Sequence, residues 1–268
     1  MNDITSAVKK FYNEMPFNMH KSMDSINQLL EESSPLDMFP ILKKLDLSNS
    51  SIIEVGCGVG WFTNFLAYHF KPKKLVGLDF SVTAIERAQE DSKKLNTDVQ
   101  FMVADLFEYQ PPEEAFDIVI SNGVLHCTKD CLGAVEYLCT KYLKPGGHIC
   151  LGLYHLYGRK PFLDHFAAMK ISGASEEELF VEYCRLHSNF DDETYIKSWF
   201  RDQVLHPYET QHTVQEIADV FTKNDVKLKF NSVPYKNEHK MSKIGRQHLA
   251  EGNYFPGFFT CTGKKNIL

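Results

Sequence analysis

Three glycines at alternate positions in Ile52-Ile53-Glu54-Val55-Gly56-Cys57-Gly58-Val59-Gly60 constrain the fold of this chain more than any other stretch. Ile52, Ile53 and Val55 read as a short strand that is apolar on both faces, and an apolar helix begins at Trp61. A strand of that kind belongs in a sheet covered on both sides. The glycines between strand and helix allow positive φ and let a ligand approach the backbone closely. The helix start behind them offers unpaired N–H groups and a positive dipole end to an anionic group. The stretch therefore predicts the strand–turn–helix unit of a nucleotide-type site.

The pattern downstream extends that reading. From Ser51, strands and helices alternate, the signature of a parallel sheet with crossover helices. Strands are expected over 51–56, 74–79, 99–103, 116–121 and 148–154. Ser81 and Asp130 are expected to cap the helices between them, and Lys144-Pro145-Gly146-Gly147 reads as a turn. The alternation stops at His155. Residues 155–211 are expected to form a helical cap insertion, with a capping box from Ser175 to Glu178. A second box from Thr213 to Glu216 starts a last crossover helix. It is followed by strand 226–233, a helix over 238–250 and a final strand over 254–262. Upstream, an amphipathic helix (Ile4, Ala7, Val8, Phe11) stops before Pro16, and further helices are expected over 22–47, broken at Ser33-Ser34-Pro35. The whole chain, 1–268, reads as a single α/β domain in which residues 1–47 act as an N-terminal helical lid.

Composition narrows the partners. The chain has 268 residues, 43% hydrophobic and 24% charged, which is ordinary for a globular domain. No apolar run approaches the roughly 20 residues needed to span a bilayer. The first residues carry no basic start followed by an apolar segment, so no secretory signal is expected. Seven cysteines without a C-x-x-C pair point to reduced thiols in a cytoplasmic protein. A net charge of −6 argues against a nucleic-acid partner. His206-x-x-Glu209-x-x-His212 is interrupted by Pro207, so no metal site is expected there.

In a doubly wound sheet, ligands bind beyond the carboxyl ends of the strands. Four informative stretches fall at those ends: the glycine turn; Asp79 with Phe80 and Ser81; Asp105 with Leu106; and Ser121-Asn122-Gly123 leading to His126. Asp79 lies 23 residues beyond Gly56, near the spacing at which an acidic residue meets a ribose diol. Asp105 is placed to accept from an exocyclic adenine amine, with Phe80, Leu106 or Phe107 covering the ring; a simple turn aspartate is the alternative.

These residues resemble the class I S-adenosylmethionine-dependent methyltransferases. The likeness runs in order through Glu54–Gly60, Gly77-Leu-Asp79-Phe-Ser81, Ala104-Asp105, Phe116-Asp-Ile-Val-Ile-Ser-Asn122 and Leu143-Lys-Pro-Gly-Gly147. It implies a doubly wound, mostly parallel seven-stranded sheet with a reversed last strand, and S-adenosylmethionine as cofactor with S-adenosylhomocysteine as product. It also implies that Gly56, Cys57, Gly58 and Gly60 approach the cofactor and that Glu54 orients its amino group. Asp79, with Phe80 and Ser81, would hold the ribose, Asp105 and Leu106 the adenine, and Asn122 and Gly123 the methionine part. The segment Phe11-Tyr12…Pro16-Phe17-Asn18 resembles an N-terminal element of some bacterial members, which implies that Tyr12, Phe17, Asn18 and His20 close over the cofactor. A nicotinamide-dependent oxidoreductase is the rival fold. Its G-x-G-x-x-G fingerprint is not matched, because the third glycine comes one residue early and Trp61 follows it.

For the chemistry, His126 and His155 follow strands four and five and are the general-base candidates by topology; a backbone or cofactor contact is the alternative for His126, and a substrate contact or a structural hydrogen bond for His155. Tyr154, Tyr157, Arg159, Trp199, Arg201, Gln203 and His206 in or beside the insertion form an aromatic and cationic set suited to a small polar or anionic acceptor. Asn122 is not followed by Pro-Pro-Tyr or Pro-Pro-Phe, which lowers nucleic-acid amines and protein amides as acceptors. A cofactor-binding homologue without activity, and a protein or RNA methyltransferase, are the remaining readings.

Overall fold

Residues 3–19, 35–111, 116–187, 192–233 and 236–267 are described in a computed structural model of the chain. Among them the strands are β1 (Ser51–Val55), β2 (Lys74–Asp79), β3 (Gln100–Val103), β4 (Phe116–Asn122), β5 (Leu143–Tyr154), β6 (Val226–Asn231) and β7 (Phe258–Lys265). They form one sheet in the order β3-β2-β1-β4-β5-β7-β6. The first five run parallel, and β7 lies antiparallel to both β5 and β6. The expected reversed last strand is thus in place.

The period of two along each strand builds a core on both faces. Ile52, Leu75 and Ile118 point into one cluster, which includes Phe62, Phe65 and Leu66. Their successors Ile53, Val76 and Val119 point into the other, with Ala134, Leu138, Ile217 and Phe221. The α-helices among the described residues are α1 (Asp3–Glu14), α2 (Trp61–Phe70), α3 (Val82–Leu95), α4 (Cys131–Tyr137), α5 (Leu156–Ile171), α6 (Glu176–Leu186), α7 (Glu193–Val204), α8 (Val214–Lys223) and α9 (Lys240–Ala250). Ser81 caps α3, Asp130 caps α4, and both expected capping boxes form, at α6 and α8. Helices α5 to α7 share a separate aromatic core of Phe162, Phe166, Tyr183 and Phe200. No helix among the described residues is long and apolar enough to cross a membrane.

Beyond shifts of a residue or two, several boundaries differ from expectation. Lys144–Gly147 is a bulge within β5 rather than a turn before it: Leu143 pairs with Phe116 and His148 with Ile118, five steps on one strand against two on the other. Extra residues on one strand bend it and increase its twist. The last strand starts at Phe258 instead of Tyr254, because Tyr254 gives its N–H to the Leu186 carbonyl and its hydroxyl to Gln203, inside the aromatic core of the insertion. Strand β6 ends at Asn231, two residues early. Of the helices expected over 22–47, residues 22–34 lie outside the described residues. The rest holds two 3-10 turns, Pro35–Asp37 and Leu42–Lys44.

Candidate functional site

The turn after β1 is pinned to β2, since the Gly56 and Cys57 N–H groups both donate to the Leu78 carbonyl. Gly56, Gly58 and Gly60 all have positive φ, at 75°, 52° and 78°. Their surroundings separate them. A Cβ on Gly56 would overlap Val124 at 2.3 Å, and one on Gly60 would meet Ala88 at 2.8 Å, whereas nothing lies within 4 Å of one on Gly58. Two of these glycines serve packing, and the third faces open space.

That space is a cavity of about 660 Å³ beyond the carboxyl ends of β1 to β4. Its wall includes Glu54, Gly56, Cys57, Gly58, Asp79, Phe80, Ser81, Asp105, Leu106, Asn122 and Gly123, together with Tyr12, Phe17 and Asn18 from the N-terminal segment. Gly60 is not on the wall, because it packs against α3 and β3. His20 lies outside the described residues.

The carboxylates are held by local backbone. The Gly58 N–H donates to Asp79 Oδ2 at 2.9 Å and the Ser81 N–H to Oδ1 at 2.8 Å. Each oxygen of Asp79 thus keeps acceptor capacity for a second donor. Burial pushes the Asp79 pKa up, while the N–H groups of Ser81, Gly58 and Phe80 hold it back. Asp105 Oδ1 takes the Phe107 N–H at 2.8 Å, so the turn role is real, and Asp105 is on the cavity wall as well. Glu54 is 4% exposed, and burial raises its carboxyl to about 8 against the opposing effect of hydrogen bonds from Thr63. Asn122 gives its amide N–H to the Met38 sulfur at 3.7 Å, and its buried Oδ1 has no partner.

The two histidine candidates are not on this wall. His155 caps α5: its Nδ1 accepts the Gly158 N–H at 3.1 Å, so Nε2 carries the ring proton and donates to Glu238 at 2.8 Å. Glu238 accepts the Val214 N–H through the same oxygen, so His155 joins the starts of α5 and α8. It is fully buried and structural. His126 sits behind the cavity; its Nδ1 accepts the Tyr154 N–H at 3.3 Å and burial drives its pKa well down.

The aromatic and cationic set is likewise employed elsewhere. Arg159 is fully buried, forked onto Glu209 at 3.0 and 2.9 Å, and stacked on Tyr154 at 3.9 Å. Gln203 belongs to the same knot, its carbonyl accepting from Arg159 and its side chain from Tyr254. Tyr157 packs against His155 and is 37% exposed. Trp199, Arg201 and His206 instead seat the N-terminal segment. Trp199 donates to Asn18 and stacks near Phe17, Arg201 pairs with Glu14 over the Phe11 ring, and His206 meets the rings of Phe11 and Tyr12.

Sequence reasoning passed over Asp202, which is on the cavity wall and accepts the Tyr12 hydroxyl at 2.6 Å. The available signal was its place three residues after Trp199 on one helical face. Trp61, Val124 and Cys127 were also missed. Among the described residues no group of three or more His, Cys, Asp or Glu is placed to hold a metal ion.

A family model described as a methyltransferase domain matches residues 46–219. Phosphoethanolamine N-methyltransferase 3 of Arabidopsis thaliana is 33% identical over 132 residues, 48% of this chain and 26% of that protein. Malonyl-acyl carrier protein O-methyltransferase 2 of Ilyobacter polytropus is 28% identical over 120 residues, 45% of this chain and 44% of that protein. The matches thus span well under two thirds of those proteins' own lengths. Magnesium protoporphyrin IX methyltransferase from Synechocystis, solved with bound S-adenosylhomocysteine, shares the fold at a TM-score of 0.52 and 13% identity, over 99% of this chain and 88% of that one.

Proposed function

The chain belongs to the class I S-adenosylmethionine-dependent methyltransferases, and on that premise we propose that it methylates a small polar metabolite. One observation carries the reading. Glu54, Gly58, Asp79, Asp105 and Asn122, drawn from the ends of four strands, meet on a single cavity.

The residues present suit the cofactor. The open side of Gly58 admits close approach of a ligand to the backbone. Asp79 retains acceptor capacity for a ribose diol, Asp105 and Leu106 are assigned to the adenine, and Phe80 to its ring face. Glu54 is assigned to the amino group of the methionine part, flanked by Asn122 and Gly123. When bound, S-adenosylmethionine supplies a methyl group already activated by its sulfonium sulfur. The task left to the protein is to hold the acceptor lone pair in line and to exclude water. Positioning of that kind is worth roughly 7–11 kcal/mol.

Residues 1–47 are assigned as a lid and 155–211 as a cap. Support comes from Tyr12, Phe17 and Asn18, which share the cavity wall with Asp202 of α7. The anionic version of the acceptor rested on Arg159 and Arg201, and both are paired with carboxylates of the chain itself. The named relatives divide between nitrogen and oxygen acceptors, so they leave the acceptor atom open. Seven free cysteines support a reducing, cytoplasmic setting.

Incubation of the protein with methyl-labelled cofactor and a fractionated metabolite extract tests the proposal. Label in the small-molecule fraction is the expected result. Label confined to protein or RNA, or cofactor binding without transfer, overturns it.

A further inference from the structure

The cavity wall also holds Cys127, Tyr12 and Asp202. Asp202 comes from α7, not from the sheet, and the Tyr12 hydroxyl donates to its Oδ1 at 2.6 Å. No lysine or arginine among the described residues forms an ion pair with it. The cations that bear on it are Arg159, already forked onto Glu209, and His206, whose own pKa burial holds down. Arg201, its neighbour on α7, is paired with Glu14.

A desolvated carboxylate without a cationic partner is costly to keep. Burial accordingly pushes the Asp202 pKa up, against the pull of His206, Tyr12 and Arg159. The remainder of the wall repeats the sign: among the described residues six carboxylates (Glu54, Asp79, Asp105, Glu108, Asp130, Asp202) face the space and Lys129 is the one lysine or arginine on it. Asp79, Asp105 and Asp130 each receive backbone N–H groups and Glu54 receives the Thr63 hydroxyl. Among the described residues Asp202 receives one donor from the chain, the uncharged Tyr12 phenol. Tyr12 and Phe17 are on the same wall, and aromatic rings attract a cation.

We propose that Asp202, oriented by Tyr12, is the specificity-determining residue for the methyl acceptor, and that the acceptor is a small amine bearing N–H donors and positive charge. The inference rests on the reading of the chain as a small-molecule methyltransferase. It names the cationic partner that no described lysine or arginine supplies: an ammonium of the acceptor docks on Asp202. The ammonium passes one N–H proton to that carboxylate, which frees the nitrogen lone pair, and the nitrogen–methyl bond forms as the sulfur–methyl bond breaks and S-adenosylhomocysteine leaves. Alcohols offer a weaker donor without charge, and carboxylic acids are repelled.

The test has two arms. In the first, the wild-type protein and methyl-labelled S-adenosylmethionine are given a panel of small primary and secondary amines beside alcohols and carboxylic acids of matching size. Label in one or more amines is expected. In the second, calorimetry measures binding of the labelled amine to the S-adenosylhomocysteine complex of wild type and Asp202→Asn. Asparagine still accepts from Tyr12 but lacks the charge. Loss of a charge-assisted bond predicts about ten- to hundredfold weaker amine binding. S-adenosylhomocysteine affinity should stay within about twofold, which also reports that the variant is folded.

Label only in alcohols or carboxylic acids, or in no member of the panel, overturns the amine inference. An equal loss of S-adenosylhomocysteine affinity in Asp202→Asn overturns it too, since it moves Asp202 to the cofactor. Either failure is distinguishable from failure of the wider reading, in which the metabolite extract carries no labelled small molecule.

Discussion

The hydroxyl of Tyr12 reaches Asp202 across 190 positions of the chain, in a hydrogen bond of 2.6 Å. It is the innermost of several links between the N-terminal segment and α7, with Trp199 to Asn18 and Arg201 to Glu14 lying alongside. The end of α1 is also tied to the loop after β2, where Ser81 and Thr83 donate to Asn13. Tyr12→Phe removes one hydrogen bond to a carboxylate and should cost about 1–3 kcal/mol. The expected local signature is faster amide exchange in α1 with β1 unaffected. Unchanged protection of α1 would mean that the other ties hold it alone.

Asp79 has two jobs in this structure, accepting from Gly58 and Ser81 and facing the cavity. Asp79→Ala should weaken S-adenosylhomocysteine binding about ten- to hundredfold, the worth of lost charge-assisted hydrogen bonds. It also strands two N–H donors, so the melting temperature should fall as well. Calorimetry and a thermal melt check the two effects separately. Wild-type affinity would remove the ribose assignment.

Much of this was legible in the chain, and the reason is local. The alternation of buried strand residues and the caps at Ser81, Asp130, Ser175 and Thr213 depend on neighbours a few positions apart. The glycine turn and Asp79 share that character, so the cofactor side of the cavity could be drawn from spacing. The acceptor side could not. Arg159 and Glu209 are 50 residues apart, and Tyr12 and Asp202 are 190 apart. Nothing periodic announces which carboxylate will spend an arginine. His155 shows the same limit: a histidine after a strand reads as a base until Gly158 and Glu238 are seen on its two nitrogens.

The glycines of the turn should differ under substitution. Gly56→Ala places a methyl group within 2.3 Å of Val124, so it should destabilise the fold by several times the backbone strain alone. Gly58→Ala meets nothing within 4 Å and carries only the left-handed strain, roughly 1–2 kcal/mol. Denaturant melts should rank Gly56→Ala well below Gly58→Ala. Cofactor affinity should drop in Gly58→Ala although its fold survives, because the added methyl faces the cavity. Equal melts would contradict the packing role of Gly56.

His155→Asn separates structure from catalysis. Asparagine can accept the Gly158 N–H and keep the cap of α5, while the hydrogen bond to Glu238 is lost. Stability should fall by about 1–2 kcal/mol. The pH profile of kcat should keep its shape, which a missing general base would not allow. Loss of one limb of that profile would return His155 to the reaction.

Glu54 links the cofactor to protons. Burial raises its carboxyl from an ordinary 4.5 to about 8, with Thr63 opposing and Asp79 adding to the rise. The unfolded chain releases this proton near 4.5, so between pH 4.5 and 8 the folded state holds one proton more. Stability from this group is therefore complete below the lower value and is lost as pH climbs to the higher one, by up to about 1.4 kcal/mol per pH unit. Glu54→Gln stays neutral throughout, so its stability relative to wild type should improve between pH 5.5 and 7.5 by roughly 2–3 kcal/mol in urea melts. An ammonium group docked on Glu54 favours the carboxylate and expels the proton. Calorimetry at pH 6.5 in buffers of contrasting ionisation heat should then report close to one proton released per S-adenosylhomocysteine bound, and none for Glu54→Gln. A wild-type value of zero would take the ammonium away from Glu54 and leave that carboxyl as a neutral partner of Thr63.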